Sequence, residues 1–180
     1  TGDTGTLNNW TLNLYGRAQD SDNSFVYTNE YSTLVASDPA RGTLSDANGG
    51  RDTINVAAVD GNNTVNLSTG AATIRGAALT IQNPGNFENV FSGDGNDTLV
   101  GNAENNLIGG GRGTNTLTGG AGLDTFVFRK RDAGLDTVTD FSTTSDKIIL
   151  VGFVGKQFGD LVITQQGTSA VVGLGAGQSL

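Results

Sequence analysis

The chain has 180 residues, enough for one ordinary domain, and contains 28 Gly but no His, no Cys and no Met. Those absences exclude Ser-His-Asp and Cys-His catalysis, a disulfide framework and the usual zinc or blue-copper centres from these residues. The net charge of −8, from 15 Asp and 3 Glu against 10 bases with no basic cluster, makes nucleic acid and anionic membrane surfaces poor partners and hard cations good ones.

No apolar run reaches the length of a membrane span, so no membrane insertion is expected. Thr1 does not open a signal peptide, and a start without Met reads as a piece of a longer chain. Residues 1–17 hold one long alternating strand, Leu7 to Gly16, with Trp10 and Tyr15 as sandwich core; this reads as the last strand of a preceding β-sandwich. Residues 18–45 read as a linker with one strand around Phe25-Val26-Tyr27. Residues 46–90 carry weaker copies of a motif that becomes regular later, Gly50-Arg51-Asp52-Thr53-Ile54 and Gly61-Asn62-Asn63-Thr64-Val65, and read as irregular lead-in turns, with Leu79, Ile81, Phe87 and Val90 as strand or core positions.

From Ser92 to Val127 the sequence repeats every nine residues through four frames without an insertion. Position six holds Asp97, Asn106, Asn115 and Asp124, and position eight holds Leu99, Ile108, Leu117 and Phe126. Each frame joins a glycine-rich half able to turn sharply to a three-residue half of β type, so the position-eight residues are expected to stack inside a coil. One nonapeptide cannot bury that face alone, and stability must come from stacking turn upon turn. Beyond the repeats, Asp136 to Phe141 alternates, while Ile148 to Val151 and Leu161 to Ile163 read as buried strands; strand-like Ala170 to Leu174 stops without a cap. Helical periodicity is absent outside residues 155–161.

A hard cation such as calcium takes six to eight oxygens from carboxylates and backbone carbonyls. Glycine turns let carbonyls converge, and one acid per turn supplies charge. With two nonapeptides per turn of the coil, Asp97 should sit beside Asn115 and Asn106 beside Asp124, one carboxylate and one amide per inter-turn position. That composition predicts weaker binding than an all-Asp array would give.

The frame Gly119-Gly-Ala-Gly-Leu-Asp-Thr-Phe-Val127 resembles the RTX, or haemolysin-type, calcium-binding nonapeptide GGxGxDxUx. More widely, residues 46–172 resemble the serralysin C-terminal domain, through Gly50 to Asn55, Phe87-Glu88-Asn89-Val90, Asp136 to Phe141 and Asp146-Lys147-Ile148. This sequence departs from the RTX pattern at Ser92, Asn102, Glu104, Asn106 and Asn115. The segment Thr1 to Gly16 resembles the end of a P domain, the β-sandwich that follows subtilisin-type catalytic domains.

The resemblance implies an all-β fold, a parallel β-roll over 46–128 that binds calcium, flanked by strands and closed by a β-rich C-terminal cap over 129–180. The candidate calcium ligands are the side chains of Asp97, Asn106, Asn115 and Asp124 with the turn residues Gly93, Asp94, Gly95, Gly110, Arg112, Gly113, Gly119, Ala121 and Gly122. Asp52, Asp136 and Asp140 join them, reading equally well as turn acids. The implied partners are calcium ions, an upstream catalytic domain of the same chain and the type I secretion machinery, and the implied state is a secreted, extracellular monomer. The parent would be a subtilisin-like serine protease; the alternatives are a metalloprotease, a polysaccharide epimerase or an adhesin. An ice-binding solenoid is disfavoured, because Leu107 interrupts the threonine ladder of Thr98, Thr116 and Thr125.

Overall fold

A computed structural model describes residues 21–132, 134–153, 161–166 and 169–174. The strand expected over Leu7 to Gly16 and the helical periodicity expected near 155–161 lie outside the described residues, apart from Leu161.

The nine-residue period becomes a chain that crosses between two sheets at every frame. Strands β1 (Ser24–Thr28), β3 (Asp52–Ala58), β7 (Phe87–Phe91), β9 (Leu107–Gly109), β11 (Thr125–Arg129) and β13 (Lys147–Val151) form one sheet in that order, paired in parallel throughout. The second sheet takes the intervening strands β4 (Thr64–Asn66), β8 (Thr98–Val100), β10 (Thr116–Thr118) and β12 (Thr137–Val138), also parallel to one another. At its ends the second sheet is extended by antiparallel pairs: β5 (Ala71–Ile74) and β6 (Ala77–Gln82) on one side, β14 (Leu161–Gln166) and β15 (Ser169–Leu174) on the other. Strand β2 (Thr43–Ser45) closes the edge beside β6.

Register follows from the period. Val65, Leu99, Leu117 and Val138 align across the second sheet, and Ile54, Val90, Ile108, Phe126 and Ile148 across the first. Leu99, Ile108, Leu117 and Phe126 are fully buried, as position eight requires, and Leu79, Ile81, Phe87 and Val90 join the same core. Full burial of each such side chain is worth about 1.5–3 kcal/mol, and only the stack supplies it.

Three sequence expectations change. The roll does not stop at residue 128, because β12 and β13 add further rungs in parallel register. Residues 18–45 supply β1 and β2 to the two sheets and, between them, a seven-residue helix, α1 (Tyr31–Ser37). That helix buries only Tyr31, so no 3.6-residue apolar stripe announces it; Tyr31 Oη donates to the Ala78 carbonyl at 2.8 Å and fixes it on the roll. Ile148 to Val151 is half-buried rather than buried, with Ile149 and Val151 more than two-fifths exposed, since β13 is the last strand of its sheet. No helix among the described residues is long and apolar enough to cross a membrane.

Candidate functional site

The position-six side chains lie at the corners where the chain leaves one sheet for the other, and all four are about 1% exposed. Asp97, Asn115 and Asp124 each accept the backbone N–H of a counterpart in the preceding turn, whereas Asn106 Oδ1 accepts the Asn102 N–H of its own frame at 2.8 Å. On one flank Asn63 N donates to Asp97 Oδ1 at 2.6 Å, Asp97 N to Asn115 Oδ1 at 2.9 Å, and Asn115 N to Asp136 Oδ1 at 3.0 Å. On the other, Asn106 N donates to Asp124 Oδ1 at 2.9 Å and Asp124 N to Asp146 Oδ1 at 3.2 Å. The pairs Asp97 with Asn115 and Asn106 with Asp124 are therefore direct neighbours, one acid and one amide each. The amides also donate: Asn115 Nδ2 to Asp136 Oδ1 at 2.8 Å, Asn106 Nδ2 to the Glu88 carbonyl at 3.0 Å.

The glycine turns stack just outside this ladder. Gly113 has φ +107°, and a Cβ there would run into the Gly95 carbonyl of the turn before it. Glycine at that corner lets the carbonyl-bearing backbones of successive turns approach closely. The other candidate turn residues line up likewise: the Gly93 carbonyl accepts Arg112 N at 2.9 Å, and Ala121 N donates to the Asn102 carbonyl at 3.1 Å. Asp94 is exposed and lies between Asp60 and Arg112 in isolated bridges. Gly95, Gly110, Gly119 and Gly122 all pack against the neighbouring turn or their own frame's position-six side chain. Asp140 stands apart from the ladder; its two oxygens accept Gly119 N and Gly120 N at 2.9 and 2.8 Å.

Asp52 belongs to the same ladder at its upstream end. Its Oδ1 accepts Asn23 N at 2.7 Å, and its own N–H donates to Glu88 Oε2 at 2.7 Å. The sequence reading missed Asp46, Asn63 and Glu88 as site residues. Asp46 is 7% exposed and accepts Asn23 Nδ2 at 2.9 Å; its charge acts on Asp52. For Asn63 the signal was present, since Gly61-x-Asn63-x-Val65 repeats the spacing of Gly50-x-Asp52-x-Ile54 and Gly113-x-Asn115-x-Leu117.

The electrostatics are one-sided. Asp46, Asp52, Asp97, Asp124 and Asp136 are all buried, yet the two ion pairs among the described residues, Arg41–Asp38 and Arg112–Asp94, are both exposed and involve none of them. Burial pushes the Asp136 carboxyl up to about 6, against the downward pull of the Asn115 hydrogen bonds. Burial likewise raises Asp52, Glu88, Asp97 and Asp124 above the ordinary carboxylate range. Asp97 is partly relieved by Ser92, whose hydroxyl donates to Oδ2 at 2.5 Å; Gly119, at the same position of the fourth frame, has no hydroxyl to offer Asp124. Asp52 Oδ2 is buried with no hydrogen-bond partner.

Buried carboxylates normally have a cation, a metal or a proton as partner. The orphaned Asp52 oxygen, the all-oxygen donor set and the stacked glycine carbonyls fit a hard cation such as calcium. Among the described residues no three carboxylates gather as a metal cluster, so carbonyl oxygens would make up most of the coordination.

A search of curated proteins gave no match. The family described as peptidase M10 serralysin C terminal matches residues 11–172, which begins inside the segment read as a P-domain end and ends within β15 at Val172. With that match spanning most of the chain and a parallel two-sheet roll beneath it, the chain belongs to the serralysin C-terminal family of peptidase M10, whose domains are associated with calcium binding.

Proposed function

We propose that this domain is a non-catalytic, calcium-folded module of a secreted protease, exported by a type I system and stabilised by calcium outside the cell. The observation that carries the reading is the set of buried carboxylates without a cationic partner among the described residues, with Asp52 Oδ2 meeting no hydrogen-bond donor there and facing a second acid, Asp46. Calcium, when bound, would supply the positive charge those oxygens lack. Asp97, Asn106, Asn115, Asp124 and Asp136 hold successive turns in register, and Gly93, Gly95, Gly110, Gly113, Gly119 and Gly122 keep carbonyls free of side-chain obstruction between them.

Linkage then sets the mechanism. An ion that binds only the folded roll stabilises it by about 2.7 kcal/mol per site when present at a hundred times its dissociation constant. Where calcium is scarce, the acids repel one another and the repeats stay unfolded and exportable; at millimolar calcium outside the cell they fold.

Two parents compete. The P-domain resemblance of Thr1 to Gly16 favours a subtilisin-like serine protease, whereas the family name itself favours a metallopeptidase of the M10 class. An epimerase or adhesin parent has no observation in its favour here.

The test is a metal count per chain, followed by EGTA titration with circular dichroism. Stoichiometric calcium and a strand signal that collapses on chelation support the reading. A strand signal indifferent to EGTA overturns it.

A further inference from the structure

A groove of about 510 Å³ runs across the carboxyl ends of β3, β7, β9 and β11. Three strand spacings of about 4.8 Å make it roughly 14 Å long, the reach of about four residues of extended peptide. Its lining sets Arg112, Arg129 and Arg131 against Asp94 and Asp132, a small positive excess on an acidic molecule. The chain carries −8 overall with ten bases, yet Arg112, Arg129 and Arg131 all line this one groove.

Those guanidinium groups are poorly neutralised. Arg112 approaches Asp94 only to 3.8 Å, with both side chains more than half exposed, a contact worth little. Arg129 lies over the Phe91 ring, 5.3 Å from its centroid, and makes no ion pair among the described residues. Asp132, also in the groove, gives its Oδ2 to the Arg129 backbone N–H at 3.2 Å rather than to a guanidinium. The Arg131 side chain has no hydrogen bond or ion pair among the described residues. Arginine presents a planar fork that matches a carboxylate with two parallel hydrogen bonds.

We propose that this groove docks an acidic peptide strand, its carboxylates paired with Arg129 and Arg131. A peptide is favoured over a sugar chain because the one aromatic face in the groove, Phe91, is already covered by a guanidinium, leaving no open ring for a sugar to stack on. The overall acidity of the protein also opposes a long polyanion while tolerating a short acidic segment. Arg129 and Arg131 are not candidate calcium ligands, but Gly93, Asp94 and Arg112 are and also line the groove, so calcium content is measured beside peptide binding to tell failure of one reading from failure of the other.

The experiment is fluorescence anisotropy with fluorescein-labelled hexaglutamate on the protein in millimolar calcium. Hexalysine and an unlabelled oligo-uronate serve as comparators, and calcium content is measured in parallel. The expected result is saturable hexaglutamate binding that weakens with added salt, falls about tenfold or more in the Arg129→Gln, Arg131→Gln double variant, and is unchanged in Arg75→Gln, outside the groove. Arg131→Gln alone, which removes a side chain without partners among the described residues, should lower affinity at least about threefold and keeps the test valid if loss of Arg129 disturbs Phe91. Absence of binding, equal affinity in the Arg131→Gln variant, or preference for the oligo-uronate overturns the proposal.

Discussion

Removing calcium should make this domain lose stability as the pH rises from about 4 to 6, and Asp136 sets the size of the effect. Its carboxyl is 6% exposed, is held by Asn115 N and Nδ2 at 3.0 and 2.8 Å, and is raised by burial from 3.8 to about 6. The folded state therefore binds a proton more tightly than the unfolded chain does. Its contribution is fully present below pH 3.8 and is lost as pH climbs through 6, which at about 1.4 kcal/mol per pH unit amounts to about 3 kcal/mol. Asp52, Asp97 and Asp124 are raised by the same cause and act in the same direction, while Glu30, lowered by its Thr28 hydrogen bond, is fully exposed and opposes them weakly. Circular dichroism in EGTA at half-unit pH steps, with sucrose added to bring the metal-free fold into the measurable range, would measure the slope. Asp136→Asn keeps an oxygen for both Asn115 donors and removes the charge, so the metal-free variant should be about 3 kcal/mol more stable than wild type at pH 7 and equal to it at pH 3.5. In millimolar calcium the sign reverses, because the ion needs the ionised carboxyl: the shift in Tm on adding calcium should grow from pH 4 to 7. A metal-free stability that stays flat or rises between pH 4 and 6, or an Asp136→Asn variant weaker than wild type in EGTA at pH 7, would refute the reasoning.

Asn115→Asp places a third acid between Asp97 and Asp136; calcium should bind about tenfold tighter by calorimetry, while the metal-free protein melts earlier. Gly113→Ala forces a left-handed residue with a Cβ against the Gly95 carbonyl, and should cost about 3 kcal/mol or more in urea denaturation with calcium present. Leu117→Ala empties a fully buried position between Leu99 and Val138 and should cost about 2–5 kcal/mol in the same assay, with the metal count unchanged.

Position eight of the nonapeptide was fully legible, because a three-residue strand has only one inward residue and Leu99, Ile108, Leu117 and Phe126 are the large apolar ones. Position six was legible as a column but not as a hydrogen-bonded ladder, since the link from one turn to the next runs 18 residues along the sequence. The lead-in region hid its membership because β4, β5 and β6 turn back antiparallel and break the nine-residue spacing, although Gly50-x-Asp52-x-Ile54 and Gly61-x-Asn63-x-Val65 preserve the five-residue kernel. Asp46 lies outside any such kernel, and only folding brings its charge to bear on Asp52. Helix α1 was illegible for a different reason: seven residues with one buried side chain carry no periodicity to read.

The asparagines at position six acquire a physical role from this arrangement. Along one flank the residues read Asn63, Asp97, Asn115, Asp136, amide and acid in strict alternation. Each acid is thus separated from the next by a full intervening turn, roughly 10 Å, about the distance over which ordinary salt screens charge. The charges still feel each other, since Asp97 contributes to the raised carboxyl of Asp136. Replacing either amide by an acid would halve that separation and set two buried carboxylates in adjacent turns with only a metal to reconcile them. Asn115 instead donates to Asp136 and accepts from Asp97, so an amide welds the two acids into one ladder without adding charge. Such a roll gives up some affinity for calcium, and its metal-free fold, though the losing state at neutral pH, is opposed by less charge repulsion than an all-acid column would carry. The Asn115→Asp variant measures that exchange directly: tighter binding and lower metal-free stability should appear together, and neither without the other.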